Sequence, residues 1–278
     1  MIRVADALAA LRARLGAASP SASLDAELLV AQVLGTHRAS LAADPQRAMA
    51  PEELLALESL VRRRLAGEPI AYLTGRREFW SIELEVTPDV LVPRPETELL
   101  VERALEVIAG IEHPAVLDLG TGSGAIAIAI AAERPDAAVT ATDVSAAALG
   151  VAQRNAAVAG LRNLRFCEGA WYAPLADARF DAIVSNPPYV AAGDPALNAL
   201  AHEPQLALIG GSDGLDALAA VASGASRHLA PGGWLLVEHG ASQGDAVRRL
   251  LGSAGFRKIA TRPDLAGFPR VTEGVTPR

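Results

Sequence analysis

From Ala115 onward, short apolar runs alternate with helical periods. This alternation confines the second half of the chain to an α/β architecture on a mostly parallel sheet. Val116-Leu117-Asp118-Leu119, Ala138 to Asp143, Leu164-Arg165-Phe166-Cys167, Phe180 to Ser185 and Trp234 to His239 have the length and apolar character of buried strands. Ala125 to Ala132, the stretch from the N-capping Ser145 to Gly160, and Leu215 to Leu229 fall between them as helices. Pro231-Gly232-Gly233 reads as a turn before the fifth strand, and Val247 to Leu251 as helical. Phe256 to Thr261 and Arg270-Val271-Thr272 are the last strands. The link from Pro263 to Pro269 is too short for a parallel crossover, so this pair is predicted to be antiparallel.

The fourth of these strands runs straight into Asn186-Pro187-Pro188-Tyr189. Two consecutive prolines cannot extend a ladder, because they lack N–H donors and their φ is locked. The strand must stop, leaving a rigid corner at its carboxyl end, the edge at which open α/β sheets bind ligands. A planar –NH2 has a delocalised lone pair and needs two acceptors to be held for attack on an electrophile. The Asn186 side-chain carbonyl and the Pro187 backbone carbonyl are suited to that task. Tyr189 adds a flat face and a hydroxyl. The pattern fits direct transfer of a small group to an sp² nitrogen, with no Cys, Ser or His nucleophile.

Gly120-Thr121-Gly122-Ser123-Gly124 forms a glycine-rich turn between the first strand and its helix. Such a turn lets backbone approach a ligand closely. Taken alone it also fits a relaxed dinucleotide fingerprint. Asp143 ends the second strand about 20 residues on, where a carboxylate meets ribose hydroxyls. Both NAD and S-adenosylmethionine carry such a ribose. Asp118, just before the glycines, suits the cationic amino-acid end of the methyl donor, and the Asn-Pro-Pro-Tyr corner suits methyl transfer, whereas no group is arranged to receive a hydride. Trp171, in a loop at the same edge, reads either as an adenine-stacking ring or as core. Glu238 and His239 read as an acid–base or metal pair lacking a third ligand, or as a hydrogen-bonded strand end. The long segment from Ala191 to Gly214 is expected to form a lid or substrate wall.

The amino-terminal third is different. Val4, Leu8, Leu11 and Leu15, then Leu24 to Leu34 and Leu54 to Leu65, recur at helical spacing, closed by Gly16, Gly35 and Gly67. A third short helix spans Ala39 to Ala43. This predicts a bundle of about 70 residues, serving for packing alone or for docking a partner. Arg62-Arg63-Arg64 reads as a solvated face or as a patch for a negatively charged partner. The connector holds a half-buried strand, Ile82 to Val86, in a hairpin, and a short strand, Val90-Leu91-Val92. Pro93-Arg94-Pro95-Glu96-Thr97-Glu98 is a stiff wall of a site or a rigid linker.

Composition narrows the partners. The chain has 278 residues and a net charge of −7, which argues against broad electrostatic binding to nucleic acid. One cysteine, Cys167, excludes an internal disulfide framework and a multi-cysteine zinc site. No run has the length of a membrane span, and the acid at Asp6 with no hydrophobic segment around it argues against a signal peptide. A cytoplasmic, monomeric protein without metal is expected.

These residues carry a resemblance over nearly the whole chain. Tyr72-Leu73-Thr74-Gly75, Val92 to Glu98, Asp118 to Gly124, Asn186 to Tyr189, Glu203-Pro204 through Asp213-Gly214-Leu215, and Glu238-His239-Gly240 resemble the glutamine N5-methyltransferases of peptide chain release factors, the PrmC/HemK family. The resemblance implies a helical docking domain over 1–75, a β-hairpin linker over 76–95 and, over 96–278, a seven-stranded, Rossmann-like class I methyltransferase domain. It implies S-adenosylmethionine as donor and S-adenosylhomocysteine as product. Gly120, Thr121, Gly122, Ser123 and Gly124 would hold its methionine part, Asp143 its ribose, and Trp171 would lie by its adenine. Asn186, Pro187, Pro188 and Tyr189 would grip the glutamine of the Gly-Gly-Gln loop of class 1 release factors, with Asn186 also touching the donor. Glu273 and Val275 stand where the family pattern leads one to expect Leu and Arg. Adenine-N6 nucleic-acid methyltransferases share the Asn-Pro-Pro-Tyr device, since an exocyclic amine poses the same problem. The acidic charge balance and the lack of a basic recognition domain weigh against that reading.

Overall fold

The computed structural model describes residues 2–17 and 19–277, which fall into two compact units divided between Arg76 and Arg77. The first unit is helical: α1 (Val4–Leu15), α2 (Ala22–Leu34), α3 (Arg38–Leu41), α4 (Pro51–Leu65) and α5 (Ile70–Thr74). Pro51 occupies the first turn of α4, where its missing N–H costs nothing. Gly35 closes α2 in the left-handed region, at φ 60°. Leu11, Leu15, Leu29, Val30, Leu57 and Val61 interlock as a small core, joined by Leu73 of α5. At five residues between Pro69 and Gly75, α5 is too short to leave a helical period in the sequence. The arginine run is not uniformly solvated. Arg62 and Arg63 are exposed, and Arg63 pairs with Glu68, but Arg64 turns inward. Its Nε donates to Oδ2 of the buried Asp25 at 2.8 Å.

A hairpin, β1 (Arg76–Phe79) and β2 (Ile82–Glu85), starts at the boundary residue Arg76 and leads into the second unit. Its two turn residues, Trp80 and Ser81, have φ of 53° and 58°, the left-handed pair that matches strand twist. Neither is a glycine, so the turn is held from outside: the Trp80 amide donates to Glu98 (3.0 Å) and its indole to Glu133 (2.8 Å). Residues 90–92 form no strand, contrary to the expectation. The Val92 amide donates to the Glu203 carboxylate at 3.0 Å rather than to a neighbouring strand.

The rest alternates α6 (Glu98–Ile108), β3 (Ala115–Leu119), α7 (Ala125–Glu133), β4 (Ala138–Asp143), α8 (Ala146–Val158), β5 (Leu164–Glu168), β6 (Phe180–Ser185), α9 (Asp216–His228), β7 (Leu229–Glu238), α10 (Gly244–Ser253), β8 (Arg257–Pro263) and β9 (Pro269–Val275). The sheet has seven strands in the order β5-β4-β3-β6-β7-β9-β8. The first five of these are parallel, and β9 runs antiparallel to both its neighbours. Period-two alternation sends Leu117, Leu119, Ile183, Leu235 and Val237 to the face covered by α9 and α10. Val116, Ala182, Val184 and Leu236 go to the opposite face, under α6 and α7. Burying each large aliphatic side chain contributes roughly 2 kcal/mol.

Two local departures have physical causes. The predicted turn at Pro231-Gly232-Gly233 lies inside β7 as a bulge, because pairing jumps from Phe180 opposite Leu229 to Ala182 opposite Trp234. Glu273 in β9, at 1% exposure, is tolerated by two guanidiniums. Arg103 donates to it at 2.9 and 3.0 Å, and Arg262 at 2.9 and 2.7 Å.

Candidate active site

Sheet register builds the site. Leu119 in β3 lies opposite Thr142 in β4 and Ser185 in β6, and Ser185 lies opposite Val237 in β7. The next residue along the chain from each of these four is Gly120, Asp143, Asn186 and Glu238. All four therefore reach the carboxyl edge at one level, where the strand order reverses about β3. The Ser185 hydroxyl donates to the Leu119 carbonyl at 2.8 Å and locks β6 to β3 just below this edge.

A cavity of about 600 Å³ opens there. Gly120, Thr121, Gly122, Ser123, Asp143, Trp171, Asn186 and Pro188 all line it. Gly124, Pro187 and Tyr189 do not. Gly124 sits behind the turn: at φ 85°, a Cβ there would lie 2.9 Å from Ile128 and 3.1 Å from Ala152. Glycine is demanded by the packing of α7 on α8. Gly122, at φ 55°, has open space around it. A Cβ on Gly120 would meet only the Trp171 ring, at 3.7 Å. Trp171 itself is in the left-handed region, at φ 49°, and its carbonyl accepts from the Thr142 hydroxyl at 3.2 Å.

Asp143 is oriented by backbone. Its Oδ2 accepts from the Gly122 amide and its Oδ1 from the Ser145 amide, each at 2.9 Å. Each oxygen keeps a second lone pair for a ligand hydroxyl. Asp118, by contrast, is fully buried and does not line the cavity. Its Oδ2 accepts from the Thr121 hydroxyl at 2.6 Å and its Oδ1 has no partner among the described residues. Burial pushes its pKa up to about 7 against the opposing Thr121 hydrogen bond. It braces the glycine turn from inside.

Asn186 is half-buried, and its Nδ2 donates to Oγ1 of the buried Thr97 at 3.2 Å. That leaves Oδ1 as the side-chain atom available to accept. The Tyr189 ring packs against the α9–α10 side of the core, and its hydroxyl donates to Glu238 Oε1 at 3.4 Å. Burial raises the Tyr189 pKa, so the phenol stays protonated. The segment after the corner folds back as a wall. Val190 exchanges backbone bonds with it: the Val190 amide donates to Leu208 and the Val190 carbonyl accepts from the Gly210 amide, each at 2.9 Å. A Cβ on Gly210 would fall 2.3 Å from the Pro188 carbonyl oxygen, so the corner can rest on backbone only.

His239 is a hydrogen-bonded strand end. Its Nε2 meets the Thr272 hydroxyl at 2.8 Å and its Nδ1 the Gly240 carbonyl at 2.9 Å. Among the described residues no cluster of His, Cys, Asp or Glu is placed to hold a metal, and no helix is long and apolar enough to cross a membrane. Sequence reasoning missed Asn155. From α8 its Nδ2 donates to the Ser123 carbonyl (2.9 Å) and the Glu85 carbonyl (3.0 Å), and its Oδ1 accepts from the Glu85 amide (2.7 Å). It ties the glycine turn to the hairpin. No local signal marks such a residue, whereas Thr97 lies in a string that stood out for its prolines.

Two family models match the chain: a PrmC N-terminal domain over residues 6–75 and a methyltransferase small domain over residues 95–204. A release factor glutamine methyltransferase of Burkholderia pseudomallei is 52% identical over 96% of this chain and 97% of its own length. One from Xylella fastidiosa is 51% identical over 91% and 93%. Among solved structures, a methyltransferase from Pyrococcus furiosus shares the fold at a TM-score of 0.53 and 19% identity, over 78% of this chain and 98% of that one.

Proposed function

The chain belongs to the release factor glutamine methyltransferases, and from that membership we propose that it methylates the side-chain nitrogen, N5, of the glutamine in the Gly-Gly-Gln loop of class 1 peptide chain release factors. The observation that carries this reading is the shared edge: a glycine turn, a backbone-oriented carboxylate and an asparagine with a free carbonyl line one cavity.

The cavity fits S-adenosylmethionine. The space above Gly120 and Gly122 admits its methionine part, the remaining lone pairs of Asp143 suit ribose hydroxyls, and the Trp171 ring offers a face for adenine. When bound, this donor supplies a methyl group on a sulfonium and leaves as S-adenosylhomocysteine. The chain's own residues hold the other reactant. Asn186 Oδ1 and the Pro187 carbonyl accept the two N–H bonds of the glutamine amide and favour the positive charge that develops on its nitrogen. Pro188 and Tyr189 keep that corner rigid. The surplus proton leaves to solvent, and no general base is assigned. Residues 1–75 help to dock the factor, 76–95 link, and 96–278 carry the transfer. The protein acts as a monomer in the cytoplasm and binds no nucleic acid directly.

The test is a mass measurement on purified release factor after incubation with donor. One added methyl on the loop glutamine is expected. Labelling of DNA or RNA with none on the factor overturns the reading.

A further inference from the structure

The functional reading leaves one buried acid unused. Glu238 ends β7 at the level of Asn186, is 1% exposed, and has one oxygen, Oε2, without a partner among the described residues. An acid so placed is costly unless it does something for the groups around it. The Tyr189 hydroxyl donates to its other oxygen, Oε1, at 3.4 Å, and the Thr97 hydroxyl favours its charged form. Thr97 in turn accepts from Asn186 Nδ2.

We propose that Glu238 is the positioning residue of this site: acting through the Thr97 hydroxyl, it sets which end of the Asn186 carboxamide faces the reacting nitrogen. The inference rests on the reading above, in which that nitrogen carries two N–H bonds and needs acceptors. The directionality follows from donor and acceptor counting. An ionised carboxylate only accepts. Thr97 then gives its single proton to Glu238 and can offer Asn186 nothing but a lone pair, so Asn186 must turn Nδ2 to Thr97 and Oδ1 to the substrate. A protonated Glu238 has a proton of its own to give. Thr97 is then released to donate to Asn186 Oδ1, and the amide flips to present N–H groups to N–H groups. Tyr189 is held to the same carboxylate, so the rigid corner and its amide answer to one ion.

The charges facing Glu238 place this switch in a useful range. Burial is the largest influence and favours the neutral acid; Glu96, beside Thr97, acts the same way. Thr97, Arg270 from β9 and the Tyr189 hydroxyl favour the carboxylate. The balance pushes the pKa up to about 7. The neighbouring His239 is engaged with Thr272 and Gly240, and burial lowers its pKa.

The experiment compares the full-length wild type with Glu238→Gln, Thr97→Val and Thr97→Ser, using purified release factor and S-adenosylmethionine from about pH 6 to 8.5. Glu238→Gln and Thr97→Val are expected to lower kcat about 10- to 100-fold, leaving KM for the factor and Kd for the donor within about twofold. Thr97→Ser, which keeps the hydroxyl, recovers most of the rate lost in Thr97→Val. The wild-type kcat falls on the acid side of neutrality, and this limb is absent in Glu238→Gln. A kcat in Glu238→Gln within about twofold of wild type, or an acid limb that persists in it, overturns the inference. The side-chain amide resonances of Asn186 report the relay without substrate. They are expected to titrate near neutrality in the wild type and not in Glu238→Gln; resonances that do not move in the wild type overturn the inference. A wild type that shows this titration but methylates no release factor overturns the functional reading and upholds the relay.

Discussion

In the ion pair between Arg94 and Glu203, the carboxylate is the buried partner: its side chain is 3% exposed and that of Arg94 31%. Its second oxygen accepts from the Val92 amide. One side chain thus pins the proline-rich segment before α6 to the wall that follows the Asn-Pro-Pro-Tyr corner. Glu203→Ala leaves both a guanidinium and a buried amide without partners. It is expected to cost about 2–4 kcal/mol of stability, read by urea unfolding of the full chain.

Asn186→Ala removes the acceptor and keeps the cavity. Methyl transfer to release factor should fall about 100- to 1,000-fold in kcat, while the donor's Kd, by calorimetry, changes less than about threefold. Full turnover in this variant would remove Asn186 from the chemistry.

Gly122 and Gly124 look equivalent in sequence and are not. Gly122→Ala meets no atom and bears only the left-handed backbone cost, about 1 kcal/mol. Gly124→Ala adds a clash with Ile128 and Ala152 and should cost about 2–4 kcal/mol. The difference is read from their chemical-denaturation midpoints.

Two buried acids give stability an unusual dependence on pH. Asp118 and Glu238 have folded pKa values raised to about 7 by burial, above those of the unfolded chain. Between about pH 4 and 7 the folded state therefore holds protons that the unfolded state has released. Their contribution is fully present at the acid end of that window and is lost as pH rises to 7. Asp118→Asn should raise stability at pH 8 by on the order of 1–3 kcal/mol, and should flatten the decline of the wild type between pH 4 and 7. Thermal unfolding across that range checks the sign.

Legibility in the sequence follows the range of the interaction. The buried strands, the glycine turn and the Pro-Pro corner are local patterns, and each lies where the sequence points. Sheet register then brings Gly120, Asp143 and Asn186 to one edge, which the βα order anticipates. What stayed hidden depends on partners far along the chain. Val90-Leu91-Val92 has the composition of a strand, but the Val92 amide bonds a carboxylate 111 residues away. Pro231-Gly232-Gly233 has the signature of a turn, yet strand pairing resumes on both sides of it. Arg64 is indistinguishable from Arg62 and Arg63 until Asp25 is seen beside it. Asn155 and Thr97 are ordinary polar residues whose roles exist only after folding.

The placement of β9 between β7 and β8 has a consequence for synthesis. A ribosome delivers β8 before the strand that joins it to the rest of the sheet. Until residues 269–275 emerge, β7 shows a bare, apolar edge and β8 has nothing to pair with, an invitation to strand-to-strand aggregation. The nascent protein must keep that edge covered, by chaperone or by speed, until β9 has left the ribosome.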